Sequence, residues 1–187
     1  MTLWCGSVET GGYALELGDA DFSARIPAIQ SGKSDAGFMN NAVAELAANR
    51  EEELAVFPES LGETAFGLGF AKGDKRRDAW QTAYDQIPKE TKDALWKKWT
   101  GADDSVKTIP EQDWPGANGT VSVAACDSLE PMSYVGQDGQ VFGLDVETIL
   151  LIARSWMYML IFLRWIFPRS YLHLVPEKQI SSVAPLS

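Results

Sequence analysis

The sequence predicts an α/β chain, and three observations carry that prediction. Segments with helical apolar spacing alternate with short apolar or alternating runs, and glycine and proline fall at the joints between them. The 187 residues are 45% hydrophobic, enough for one compact domain or two small lobes with real cores. Helices packed on a largely parallel sheet are the expected arrangement.

The first helix begins near Asp21, an acidic cap, and sets Phe22, Ile26 and Ile29 at helical spacing. Pro27 falls in its early turns, where a missing amide proton costs least. Gly32 ends it, because glycine takes the left-handed cap conformation cheaply. Ala36 to Met39 follows as a short buried strand. Asn40 or Asn41 caps a second helix, striped by Val43, Leu46 and Ala47 and closed by the charged run Arg50 to Glu53, which reads as a solvated face. Leu54 to Phe57 reads as a strand, and Phe66 to Ala71 as a glycine-rich one. Asp78 to Ile87 and Pro88 to Trp99 are helical, with Pro88 in the first turn and Gly101 as the stop. From Ala102 to Gly119 the chain is rich in Asp, Pro and Gly, which marks a boundary or crossover. Thr120 to Ala125 alternates like a strand, Asp138-Gly139 signals a tight turn, and Leu144 to Arg154 is helical again.

A formal charge of −10 disfavours nucleic acid and anionic lipid, since the long-range field repels both. Small solutes and protein partners fit better. Cys5 and Cys126 are the only cysteines, too few for a disulfide framework or a Cys-rich zinc site. Leu3-Trp4-Cys5-Gly6 resembles a lipoprotein cleavage box, but no basic and apolar signal segments precede it, so the expectation is that the natural N-terminus is missing.

No catalytic constellation emerges. The single histidine, His173, lies in a compositionally different tail, so neither a Ser/His/Asp triad nor a multi-histidine metal site can be assembled. Glu59, Glu63, Asp103 and Asp104 are candidate acid and base groups, yet nothing selects a pair. Gly67-Leu68-Gly69 lacks the spacing of a phosphate loop, and Asp138-Gly139-Gln140 lacks the alternate oxygen ligands of a calcium loop. Non-covalent capture fits better, because loops at strand ends in open α/β sheets converge on a cleft. Leu129, Met132 and Tyr134, after the strand at 120–125, supply apolar and aromatic lining there, or else pack beneath a loop.

Four stretches, IPAIQSGKSDAGF, TAFGLGFAKGD, LWKKWTGADDS and NGTVSVAACDSLEPMSYVGQDGQVFGLDVETILLIAR, together resemble the extracellular solute-binding proteins of ABC transporters, in the group that takes polar amino acids. Their shared order over about residues 22–154 carries the resemblance. It implies a periplasmic-binding-protein-like type II fold in which two α/β lobes close on an amino acid. It also implies a location in the periplasm or outside the cell, with membrane association through a permease or a missing N-terminal anchor. The partners implied are the amino acid and the ABC transporter permease, with no nucleic acid, no cofactor, no metal and no enzymatic step.

The order is unusual. Residues 22–101 resemble the second lobe and C-terminal end of one binding protein, whereas 119–154 resemble the beginning of another. The expected domains are therefore 1–115, a second-lobe-like segment; 116–155, the beginning of a further solute-binding domain; and 156–187, an anomalous tail. Carried over residue by residue, the family's ammonium-binding aspartate falls on Asn40, and its early aspartate and stacking tyrosine fall on Cys126 and Leu129. The Thr-x-x-Arg carboxylate clamp has no counterpart in either unit. An asparagine keeps a hydrogen bond but loses the ion pair, so amino-acid affinity is expected to be reduced. The family's fold also serves as a ligand-sensing extracellular domain of membrane receptors, as periplasmic dehydratases and as peptidoglycan-cleaving fusions; a fragment without independent function is a further reading.

The tail explains the break. Trp156 to Phe167 is apolar apart from Arg164, too short for a confident membrane span, which wants about 20 apolar residues. Read one frame over, the junctions Trp156-Met157 and Trp165-Ile166 both force aspartate and Met157-Tyr158 forces valine. The codons after Trp165 permit Asp-Phe-Ser-Ala-Leu-Ile-Pro-Ala-Leu-Ser-Ser-Gly-Lys-Ala-Asp, in gap-free register with Asp21 to Asp35. The tail is thus expected to be out of frame, with the second unit ending after its first helix and the tail's apolar side chains exposed.

Overall fold

The computed structural model describes residues 24–58, 67–165 and 183–185, and these mix helices with small open sheets. They fall into two compact units, one holding the described residues up to Phe38 and the other those from Met39 onward.

In the first unit, α1 (Arg25–Gln30) stops as its sequence requires. Gly32 takes φ 72°, and the amides of Ser31 and Gly32 donate back to the carbonyls of Pro27 and Ile29. Asp21 and Phe22 lie outside the described residues. No strand forms over Ala36 to Phe38, and Phe38 is exposed.

In the second unit, Asn40 caps α2 (Asn41–Arg50) by accepting from the Val43 amide at 2.9 Å, and Ala42, Leu46 and Ala47 are buried along one face. Leu54 to Phe57 is not a strand, and Val56 and Phe57 are exposed. The reason is shared with Ala36 to Met39: a strand requires a neighbour for its amides, and neither run has a paired strand among the described residues. The run Phe66 to Ala71 shortens to β1 (Gly67–Gly69), paired antiparallel with β7 (Val183–Pro185).

Two helices follow, α3 (Arg76–Asp85) and α4 (Lys89–Thr100), the latter entered through Pro88. α4 is held on both sides. Trp96 Nε1 donates to Glu45 Oε2 at 2.8 Å and Thr100 Oγ1 to Glu45 Oε1 at 2.9 Å, which ties it to α2. Trp99 Nε1 and Lys98 Nζ both donate to Glu147 Oε2 at 2.8 Å, which ties it to the helix at 144–155.

Beyond a 3₁₀ turn at Asp104–Val106 comes β2 (Thr120–Cys126), then β3 (Ser128–Leu129), β4 (Ser133–Val135), β5 (Val141–Phe142), α5 (Leu144–Ser155) and β6 (Met159–Trp165). The Asp138-Gly139 turn joins β4 to β5, with Gly139 at φ 79° and the Gly136 amide bonded to the Gln140 carbonyl. β3, β4 and β5 form an antiparallel sheet, while β2 and β6 pair in parallel from Thr120↔Met159 to Cys126↔Trp165. Among the described residues only this last pair is parallel, so in place of the largely parallel sheet expected from the sequence they form three small sheets.

The core lies where α5 meets the β2–β6 pair and α3. Val146, Ile149, Leu150, Ile152 and Ala153 are buried on one helical face, against Val121, Leu160, Trp80 and Trp114. Each large aliphatic side chain so buried contributes about 1.5–3 kcal/mol. Past α5, the apolar run at 159–165 is not left unpaired: it forms β6 on β2. Leu160 is buried and Phe162 packs on the core, while Ile161 and Leu163 point out and are exposed, the period of two that a half-buried strand demands. No described helix is long and apolar enough to cross a membrane.

α5 starts against the hairpin that precedes it: the amides of Leu144 and Asp145 donate to the carbonyls of Pro131 and Met132, both at 2.9 Å. Gly143 permits this approach. Its φ is 131°, and a Cβ there would stand 2.1 Å from the Met132 carbonyl oxygen. Gly143→Ala is expected to lower unfolding free energy by about 3 kcal/mol or more in urea denaturation, with the midpoint shifted and the slope unchanged.

Candidate functional site

In open α/β sheets, ligand-binding groups gather beyond the carboxyl ends of the strands. Here that place is the end of β2 and the hairpin β3–β4 that folds back on it. The Val135 amide donates to the Asp127 carbonyl at 3.2 Å, and Ser133 Oγ donates to the Cys126 carbonyl at 2.8 Å. The strand end and the hairpin are therefore one piece.

Four of the five residues singled out from the sequence belong to this piece. Cys126 is half-buried, its Sγ 3.9 Å from Ser128 Oγ. Leu129 pairs with Ser133 across the hairpin and is partly exposed. Met132 is buried beneath the hairpin, so its side chain packs rather than lines a surface. Tyr134 is half-buried, edge-on to Trp99 at 6.2 Å and tilted against Phe142 at 6.3 Å. Asn40 stands elsewhere. It begins α2, whereas the end of α2 that meets the hairpin is Arg50, ten helical residues and about 15 Å further along. Its amide oxygen is engaged in capping.

Arg50 is the residue that composition and periodicity did not select. Its guanidinium forks onto Glu130, with Nη1 donating to Oε2 at 3.2 Å and Nη2 to Oε1 at 2.9 Å, and Nη2 also donates to Asp104 Oδ1 at 2.6 Å. Lys107, its side chain only 2% exposed, completes the group by donating to the same Asp104 oxygen at 2.9 Å. These hydrogen bonds, Lys107's first and Arg50's next, hold the Asp104 carboxyl below its ordinary range. Asp103 is used locally, accepting from Ser105 as the cap of the 3₁₀ turn. Glu59, Glu63, Cys5 and His173 lie outside the described residues.

The electrostatics of the hairpin favour neutral forms. Burial, reinforced by the charges of Glu130 and Asp104 and opposed by Arg50, pushes the Tyr134 phenol up to about 12. Desolvation at the start of α5 pushes the Asp145 carboxyl up to about 6. Chemically, the arrangement offers a partly exposed arginine already satisfied by two carboxylates, an aromatic ring, and a thiol facing a serine hydroxyl rather than a base. Among the described residues, no three His, Cys, Asp or Glu side chains gather as a metal-binding group. Gly67 to Gly69, set aside as a phosphate loop from its spacing, is strand β1.

No protein-family model matches the chain, and no curated protein or solved structure matches it.

The charge on Asp145 generates a pH test. A carboxyl whose pKa is raised on folding binds its proton more tightly in the native state, so its destabilising effect is absent below about 4, grows between about 4 and 6, and is complete above that. Asp145→Asn is expected to leave stability unchanged near pH 3.5 and to raise it by up to about 3 kcal/mol at pH 7, measured by urea unfolding at both pH values.

Proposed function

We propose that the chain derives from the extracellular solute-binding component of an amino acid ABC transporter and that its fold is of the type II periplasmic-binding kind, represented by one lobe and the start of a second unit. The observation that carries this reading is the β2–hairpin–α5–β6 arrangement. A parallel strand pair joined by a helix, with a hairpin folded over the carboxyl end of the first strand, occupies the stretch whose sequence resembles the opening of that family. The resemblance of 22–101 to the end of a preceding binding protein adds the second part. The partners on this reading are a small polar amino acid and a membrane permease, and the place of work is the periplasm or the cell exterior.

Capture requires no covalent step. A ligand seated beyond β2 shifts the population toward the conformation it binds more tightly. Tyr134, flanked by Trp99 and Phe142, offers a ring for the ligand's apolar part, while Cys126 and Leu129 are the positions on which, by resemblance, the family's early aspartate and stacking tyrosine fall. Loss of the aspartate removes a charge-assisted hydrogen bond of about 1.5–3 kcal/mol and loss of the tyrosine removes a stacking face, so affinity is weaker than in an intact binding protein.

Calorimetric titration with a panel of amino acids tests the proposal. The expected result is a weak, saturable heat with polar amino acids, at dissociation constants on the order of 0.1–1 mM, abolished by Tyr134→Ala. Folded protein that gives no heat with any amino acid contradicts it.

A further inference from the structure

In a parallel pair, alternate residues of a strand turn both main-chain groups toward the partner, and the intervening ones turn both toward the far edge. Leu160 of β6 is of the second kind. Its amide donates to Gln112 Oε1 at 2.6 Å and its carbonyl accepts from Gln112 Nε2 at 3.0 Å. A carboxamide presents one acceptor and one donor side by side, the same pair that a peptide group of a neighbouring strand presents.

Trp114 extends the line, and Asn118 holds the chain just before β6. Trp114 Nε1 donates to the Tyr158 carbonyl at 2.6 Å, and Asn118 Nδ2 donates to the Trp156 carbonyl at 2.8 Å. Residues 112 and 114 thus meet 160 and 158 in opposite chain order, on the side of β6 that faces away from β2, whereas Asn118 lies past the crossing, its own amide donating to the Met157 carbonyl at 3.2 Å. The chain then crosses the start of β6 to become β2 on the other side. The crossing is close: at Gly116, φ 59°, a Cβ would stand 2.4 Å from Met159 Cγ.

We propose that Gln112 closes the outer edge of β6 against strand addition by a second copy of this chain. β6 reads Met-Leu-Ile-Phe-Leu-Arg-Trp, with one charge in seven residues, and Ile161 and Leu163 are 52% and 50% exposed. A strand of this composition pairs with its like when its edge is open. The second copy is the partner to be kept out, since every copy carries the same strand and pairing of identical segments sets apolar against apolar. Gln112 occupies both main-chain groups that Leu160 would offer such a strand, at the start of the outer edge. This role goes beyond solute capture and stands or falls separately from it.

Sedimentation velocity over a concentration series, with circular dichroism on the same samples, tests the proposal. Gln112→Leu and Gln112→Asn withdraw the amide from Leu160, and both are expected to self-associate at least roughly tenfold more strongly than the parent chain. Gln112→Glu also loses the donor to the Leu160 carbonyl but leaves a charge on the edge, and is expected to associate no more than the parent. The proposal is overturned if the leucine and asparagine variants stay folded and associate like the parent. It is equally overturned if the glutamate variant associates as strongly as they do, since association would then follow lost stability rather than an open edge.

Discussion

The structure from Met39 onward depends on two carboxylates that each take an indole from α4. Glu45 and Glu147 sit on different helices, and the Trp96 and Trp99 rings between them are three residues apart on one helix. Glu147 is buried, and a buried carboxylate without donors costs several kcal/mol; with Lys98 and Trp99 both donating, it becomes a joint instead. Asn49 adds a bond from α2 to the Thr100 carbonyl at 3.0 Å, where α4 ends. Because both joints belong to one rigid helix, the position of α2 relative to α5 is fixed. Arg50 at the end of α2 is thereby brought to the hairpin that caps α5. The candidate site is a consequence of this three-helix tie, since its charged group spans residues 50, 104, 107 and 130.

The same constraint explains how an apolar stretch of anomalous composition becomes a strand. α5, held by Glu147, lays its buried face along β2, and the next segment to emerge finds β2's hydrogen-bonding groups and an apolar surface waiting. Any run that places an apolar residue at every second position satisfies both demands, and Leu160 and Phe162 do so. The strand reflects how little a sheet edge asks of its neighbour. The price appears on the other face, where Ile161 and Leu163 remain in water.

What the sequence makes legible is what local chemistry decides. Gly32 and the Asp138-Gly139 turn were readable because positive φ selects glycine, and Asn40 because its side chain caps its own helix. α5 was readable because its apolar face repeats with the helical period. Ala36 to Met39 and Leu54 to Phe57 have strand composition but no strand, because pairing is decided by distant residues that composition does not name. The site divides in the same way. Cys126, Leu129 and Tyr134 are neighbours along the chain and were found together, whereas Arg50 reaches Glu130 across eighty residues and read only as part of a solvated charge run. Its place at the end of a helix was a faint signal, since cations favour that end. Lys107 and Glu147 gave none, because burial of a charge is settled by its partners.

The most direct test of the three-helix tie is hydrogen exchange of the Trp96 and Trp99 indole N–H groups, followed by NMR in native conditions with low urea. Both are expected to exchange only through global unfolding, with the same free energy and urea dependence as the backbone amides in the middle of α5. Exchange of either indole at a lower free energy, with little dependence on urea, would show that α4 opens locally and does not hold α2 to α5.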